Sequence, residues 1–113
     1  MCACRSGAPG RRRWSVGFAG TEGLRDRTAL ASSAWRSGDS SGLSKLFVQE
    51  MKTEAPELYD SLLYQRNLRW VPQIDQMLQD SNTEFVLVGA AHLVGEGGLL
   101  DLLAQKGYEI EQL

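Results

Sequence analysis

A lone histidine, an arginine–asparagine pair and a loop with three glycines are the places where this 113-residue sequence could do chemistry. His92 is the single histidine, and it ends the run Gly89-Ala90-Ala91-His92. Imidazole supplies a neutral nitrogen ligand or a general base near neutral pH, and the small residues before it leave room for a ligand or metal at the backbone. One histidine does not build a metal site. The other ligands would be carboxylates such as Glu96 or Asp101, or would come from structure that this chain lacks. The plain alternative is a loop histidine that only donates to a backbone carbonyl. Arg66 and Asn67 interrupt largely apolar stripes, and a buried polar group left unsatisfied costs about 1–3 kcal/mol. They could clamp a substrate carboxylate, hold the loop that bears His92, or serve as a helix-to-sheet structural network.

Other chemistries fit less well. Gly95, Gly97 and Gly98 surround Glu96 just before a helical pattern, but G-x-G-x-x-G and G-K-[ST] are absent. Glu96 would also put negative charge where a phosphate should sit. These glycines, with Gly89, are read as structural turn residues. No G-x-S-x-G occurs, and Cys2 and Cys4 lie far in sequence from His92. A Cys-x-Cys pair without further soft ligands is a poor zinc site.

The elements that must position His92 follow from pattern. Phe85, Val86, Leu87 and Val88 make a continuous apolar run ending in glycine, which predicts a strand over about 84–90 buried on both faces. A helix over 99–106 and a second strand over 108–113 follow. Strand, helix and strand in one sheet imply parallel strands and a right-handed crossover, with ligands at the carboxyl ends of the strands. Before this, residues 28–36 predict a short helix. Leu43, Leu46, Phe47 and Met51 mark a second helix over 41–52. Pro56 suits the first turn of a third, which carries Tyr59, Leu62, Leu63, Arg66 and Trp70 along one side. Val71, Ile74, Met77 and Leu78 extend the apolar pattern to residue 79, but Pro72 predicts a kink or break near 69–71.

Composition divides the chain. Residues 1–36 carry a net charge of +5 and residues 37–113 a net charge of −7, so the small overall charge of −2 joins two kinds of sequence. Residues 1–27 show no periodicity and are expected to be a disordered or unrelated leader. Arg11-Arg12-Arg13-Trp14 could grip single-stranded nucleic acid or a membrane surface, but nothing around it repeats the pattern. No window reaches the ~18 apolar residues of a membrane span, and no apolar segment follows the arginines as an export signal requires. The default expectation is cytoplasmic, with export only if an upstream signal segment is missing.

Four stretches carry a family resemblance. They are residues 34–39 (AWRSGD), 65–70 (QRNLRW), 85–95 (FVLVGAAHLVG) and 98–100 (GLL) with Gly107 and Tyr108. In this order and spacing they resemble the TraB/GumN family, which is related to TIKI-type metal-dependent proteases. The likeness covers residues 34–113 and matches the carboxyl-terminal part of a longer domain. It implies an α/β fold in which two Gly-x-x-His motifs face a cleft with acidic residues. Residues 89–92 match the second of these motifs. It also implies catalytic roles for His92, Arg66 and Asn67, with His92 as a metal ligand. Position 65, commonly glutamate in the family, is Gln65 here, which removes a charge. The first motif has no counterpart.

The expected architecture is therefore α/β: a helical segment, then a β-α-β unit with parallel strands, incomplete relative to the full family domain and confined to residues 28–113. The expected function is that of a truncated metal-dependent hydrolase domain, inactive alone. A non-catalytic structural or interaction module is the alternative, and nucleic-acid binding the weaker one. A divalent metal, zinc or manganese, would bind weakly or not at all to this chain by itself. A peptide would be the substrate of the full-length form. The edge of residues 85–88 would favour self-association.

Overall fold

The structure, a computed structural model, describes the backbone of residues 2–5, 13–16 and 27–113, and side chains from residue 29 onward. Helix α1 (Arg27–Ser37) turns at Gly38 into a helical stretch made of α2 (Ser40–Leu43), a π-helical segment (Ser44–Gln49) and α3 (Glu50–Glu54). Asp39 caps α2 by accepting the Gly42 N–H at 2.8 Å, which satisfies one of the amides that a helix start leaves unpaired. Ala55 breaks the helix and Pro56 opens the next, in the first turn where its missing N–H costs nothing. That second helical stretch comprises α4 (Pro56–Tyr59), a π-helical segment (Asp60–Tyr64) and α5 (Gln65–Met77).

Pro72 does not break α5. Helix continues from Gln65 to Met77 with the proline inside, contrary to the expected break near 69–71. Pro72 lies on the exposed side, away from the buried stripe. The buried stripe of this stretch is Leu63, Asn67, Val71, Ile74 and Leu78, spaced three or four apart. Arg66 falls about 100° away around the helix and is exposed. Leu62 and Met77, expected in the stripe, are 42% and 43% exposed.

Strand β3 (Thr83–Val86) leads through Gly89 to the short helix α6 (Ala90–Leu93). Helix α7 (Leu99–Gln105) and strand β4 (Glu109–Gln112) follow. The backbone of residues 2–5 and 13–16 forms strands β1 (Cys2–Arg5) and β2 (Arg13–Val16). The order is β3-β1-β2-β4, with β1 antiparallel to β2 and β3 and β2 parallel to β4. The protein thus mixes helices and strands; β3 and β4 run parallel within one sheet, but two strands lie between them and they do not pair with each other. Each finds its ladder hydrogen bonds with a strand from the amino-terminal segment instead. The other residues of 1–26 lie outside the described part, and so do the side chains of Cys2, Cys4, Arg11, Arg12, Arg13 and Trp14.

The expectation of a strand buried on both faces is also corrected. Val86 and Val88 pack against the core, whereas Phe85 and Leu87 are 59% and 65% exposed. Alternation of this kind belongs to a strand whose helices cover one face. The core gathers Leu43, Val48, Leu93, Leu99 and Leu103, all fully buried, each worth about 1.5–3 kcal/mol relative to exposure. Tyr108 donates its hydroxyl to Asp75, and Lys106 approaches the same carboxylate at 3.2 Å, which ties the approach to β4 onto α5. No helix among the described residues is long and apolar enough to cross a membrane.

Because Pro72 sits in the interior of an unbroken helix, its replacement should help. Pro72→Ala should restore the missing hydrogen bond and raise stability by about 1–3 kcal/mol, read as a higher urea midpoint with unchanged slope. A lower midpoint would show that the ring makes contacts worth more than the bond.

Candidate functional site around His92

Three elements converge on His92. α6 carries it, α5 packs alongside, and the 95–98 loop passes at the end of Asn67. Gly89 caps α6 in extended conformation, and the His92 N–H closes the turn on the Gly89 carbonyl at 3.0 Å. The histidine therefore sits in a helical turn beyond the strand rather than in an open loop. Its ring is directed to α5, where Nδ1 lies 2.9 Å from Asn67 Oδ1 and the Trp70 ring packs at 4.8 Å between centroids, tilted by 49°.

Asn67 is 1% exposed, in the middle of the buried stripe. Its Nδ2 donates to the Gly97 carbonyl at 2.9 Å while its Oδ1 faces the imidazole. This orientation settles the histidine's tautomer. A carbonyl oxygen only accepts, so the amide must turn its NH2 to Gly97 and its oxygen to His92. Nδ1 then carries the hydrogen and donates it, leaving Nε2 with a free lone pair. Nε2 has no hydrogen-bond partner among the described residues. Burial, reinforced by the Arg66 guanidinium charge, holds the imidazole below its ordinary pKa of 6.5, so the ring is neutral at pH 7.

The loop is built to meet Asn67. Gly97 has φ +78°, and its N–H is accepted by Asp101 Oδ2 at 2.9 Å. At Gly98 a Cβ would stand 2.6 Å from the Leu93 carbonyl oxygen and 2.8 Å from that of Val94, so backbone packs on backbone there. Gly95 also has positive φ, while Gly89 has ordinary φ and meets only His92 at 3.9 Å. The four glycines expected at turns thus divide into three that the geometry requires and one that it merely accommodates.

Of the residues singled out for chemistry, His92 and Asn67 come into direct contact. Arg66 stays exposed beside them and makes no hydrogen bond or ion pair among the described residues. Gln65 points to Asp60. Glu96 turns its carboxylate out, with 88% of the side chain exposed. Asp101, considered as a ligand beside His92, instead accepts the Gly97 N–H, and Trp70, Tyr59 and Lys52 were not foreseen as parts of the site. For Trp70 a signal existed, since it lies three residues past Asn67 on the same face. For Tyr59 and Lys52 none did, because their partner is a backbone carbonyl about 40 residues away.

The lowered pKa has a definite sign in stability. As pH falls below 6.5 the unfolded chain binds a proton at this position before the folded one does, so stability declines with falling pH until the folded pKa is passed. His92→Gln keeps a donor for Asn67 without titrating. Between about pH 7.5 and pH 5.5, wild type should lose more stability than His92→Gln in urea melts. Parallel losses in the two proteins would contradict the assignment.

Comparison with known proteins identifies a family. The model of the TraB/PrgY/gumN family matches residues 19–112. Among curated proteins, Metalloprotease TIKI2 of Danio rerio is 38% identical over 56 residues, which is 48% of this chain and 11% of that protein. Metalloprotease TIKI1 of Danio rerio is 36% identical over 52 residues, or 44% of this chain and 10% of that protein. The chain thus matches about a tenth of the length of these relatives. No solved structure matches at a significant level. With the family model covering most of its length, the chain belongs to the TraB/PrgY/gumN family.

Proposed function

We propose that this chain carries one side of the reacting centre of a TraB-type hydrolase that acts on peptides, and that it is inactive alone. The observation that carries the reading is the fixed, neutral imidazole. Asn67 holds the hydrogen on Nδ1 at 2.9 Å, so Nε2 is free to take a proton from an attacking nucleophile as a general base. Asn67 Oδ1 would then face the imidazolium that forms and stabilise it. Arg66, exposed beside the ring, is suited to receive a carboxylate or the negative charge developing on a substrate carbonyl. The relatives' name, metalloprotease, supports a peptide substrate.

A divalent metal fits the described residues poorly. No group of three or more His, Cys, Asp or Glu side chains among them could hold one, and the Arg66 charge opposes a cation at the ring. His92 Nε2 would be a single ligand, with other donors to be supplied from outside these residues. The same observation favours the second reading, a non-catalytic structural or interaction module of this fold. Nucleic-acid binding through Arg11–Arg13 and Trp14 rests on side chains outside the described part, and self-association through residues 85–88 has no support among these findings.

Zinc titrated into the full chain at about pH 7.5 should perturb the His92 ring resonances weakly, without turnover of a mixed peptide library. The perturbation should vanish in His92→Ala. Zinc that leaves His92 untouched would contradict the role given to Nε2 and favour the non-catalytic module. Tight 1:1 binding, or turnover abolished by His92→Ala, would contradict the view that the centre is incomplete in this chain.

A further inference from the structure

The orientation of Asn67 depends on the Gly97 carbonyl, and that carbonyl depends on a glycine. Gly97 has the freest backbone of any residue type; the plane that contains its carbonyl is held by the Gly98 N–H on the Gly95 carbonyl at 3.0 Å, and the carbonyl is fixed from both sides only if the peptide plane before it is held as well. That plane is gripped at both ends. Its N–H, from Gly97, is accepted by Asp101 Oδ2 at 2.9 Å. Its carbonyl, from Glu96, accepts from the Tyr59 hydroxyl and from Lys52 Nζ, each at 3.1 Å.

The two donors are themselves fixed. The Lys52 ammonium lies 4.8 Å from the centroid of the Tyr59 ring, within cation–π range. Tyr59 stacks on Tyr64 with centroids 6.4 Å apart and planes inclined by 18°. A Cβ at Gly97 would come within 3.0 Å of both the Tyr59 hydroxyl and the Tyr64 ring, so the loop is seated against this aromatic pair. The Glu96 carboxylate, 3.9 Å from Lys52 and mostly exposed, is screened by solvent and adds little. The backbone carbonyl is the anchor.

We propose that Tyr59 and Lys52 are positioning residues for His92: by pinning the Glu96 carbonyl they fix the Gly97 carbonyl, hence the Asn67 amide, hence the Nδ1–H tautomer that leaves Nε2 available. This deepens the reading of Nε2 as the reacting atom, but it is tested without metal, substrate or turnover. If the anchor is lost, the amide can flip and present its NH2 to the ring. The imidazole hydrogen then moves to Nε2, and the free lone pair there disappears.

The test is the His92 tautomer ratio in the full chain at neutral pH, read from two-bond proton–nitrogen correlations of the ring. Tyr59→Phe removes one donor and keeps the ring stack, and Tyr59→Phe/Lys52→Met removes both. A hydrogen bond's net contribution of about 1 kcal/mol corresponds to a change of roughly fivefold in such a ratio. The Nδ1–H to Nε2–H ratio should fall by about that factor in the single variant and further in the double one, while circular dichroism shows the fold retained. Glu96→Ala, which leaves the carbonyl in place, should give the wild-type ratio. An unchanged ratio in a folded double variant would overturn the proposal. If the double variant does not fold, an unchanged ratio in Tyr59→Phe would overturn it. A ratio shifted by Glu96→Ala would also do so, since the carboxylate would then be the anchor.

Discussion

One buried amide organises this site. Asn67 occupies a core position of α5, between Leu63 and Val71 in the stripe, where the preceding and following turns carry leucine and valine. Leaving its polar atoms unpaired there would cost about 1–3 kcal/mol for each. Nδ2 and Oδ1 are instead taken by the Gly97 carbonyl and by His92 Nδ1, both at 2.9 Å. A side chain that must satisfy both ends has little freedom, and that constraint passes to the groups it touches. The loop must present a carbonyl and the histidine must present an N–H.

The rest of the carboxyl-terminal region can be understood as meeting these two demands. Gly98 lets the loop lie directly on the backbone of residues 93 and 94, while Asp101, Tyr59 and Lys52 hold the peptide group before the Gly97 carbonyl. Leu93, Leu99 and Leu103 fix α6 and α7 in the core, so that His92 and the loop keep their spacing. Trp70 closes one side of the ring, excluding water and contributing to the burial that keeps the imidazole neutral. The chemistry available to the site, a free Nε2 on a neutral ring, is a consequence of packing as much as of residue type.

Part of this was legible in the sequence. The Gly89-Ala90-Ala91-His92 run marks the turn after the strand, and the family likeness rests on it and on the 65–70 motif. The Pro56 helix start follows from local chemistry that a few residues suffice to specify. Arg66 and Asn67 were singled out together, yet one is exposed and the other buried. Adjacent helical residues differ by 100°, and apolar neighbours at both 62 and 63 left the centre of the stripe undetermined. The sheet was misjudged for a different reason. Residues 85–88 look buried on both faces, but strand pairing is a long-range matter, and β3 and β4 take partners from a segment without periodicity. The clamp on Glu96 was invisible, because a backbone carbonyl leaves no mark in a sequence.

The most direct test of the account is a double-mutant cycle on Asn67 and His92, with both residues replaced by alanine singly and together and stability measured in urea at neutral pH. If the amide and the ring satisfy one another as described, the two losses should be non-additive, with a coupling energy of about 1 kcal/mol. Losses that add to within about 0.3 kcal/mol would mean that the two groups do not hold each other, and the fixed tautomer on which the functional reading depends would be lost with that bond.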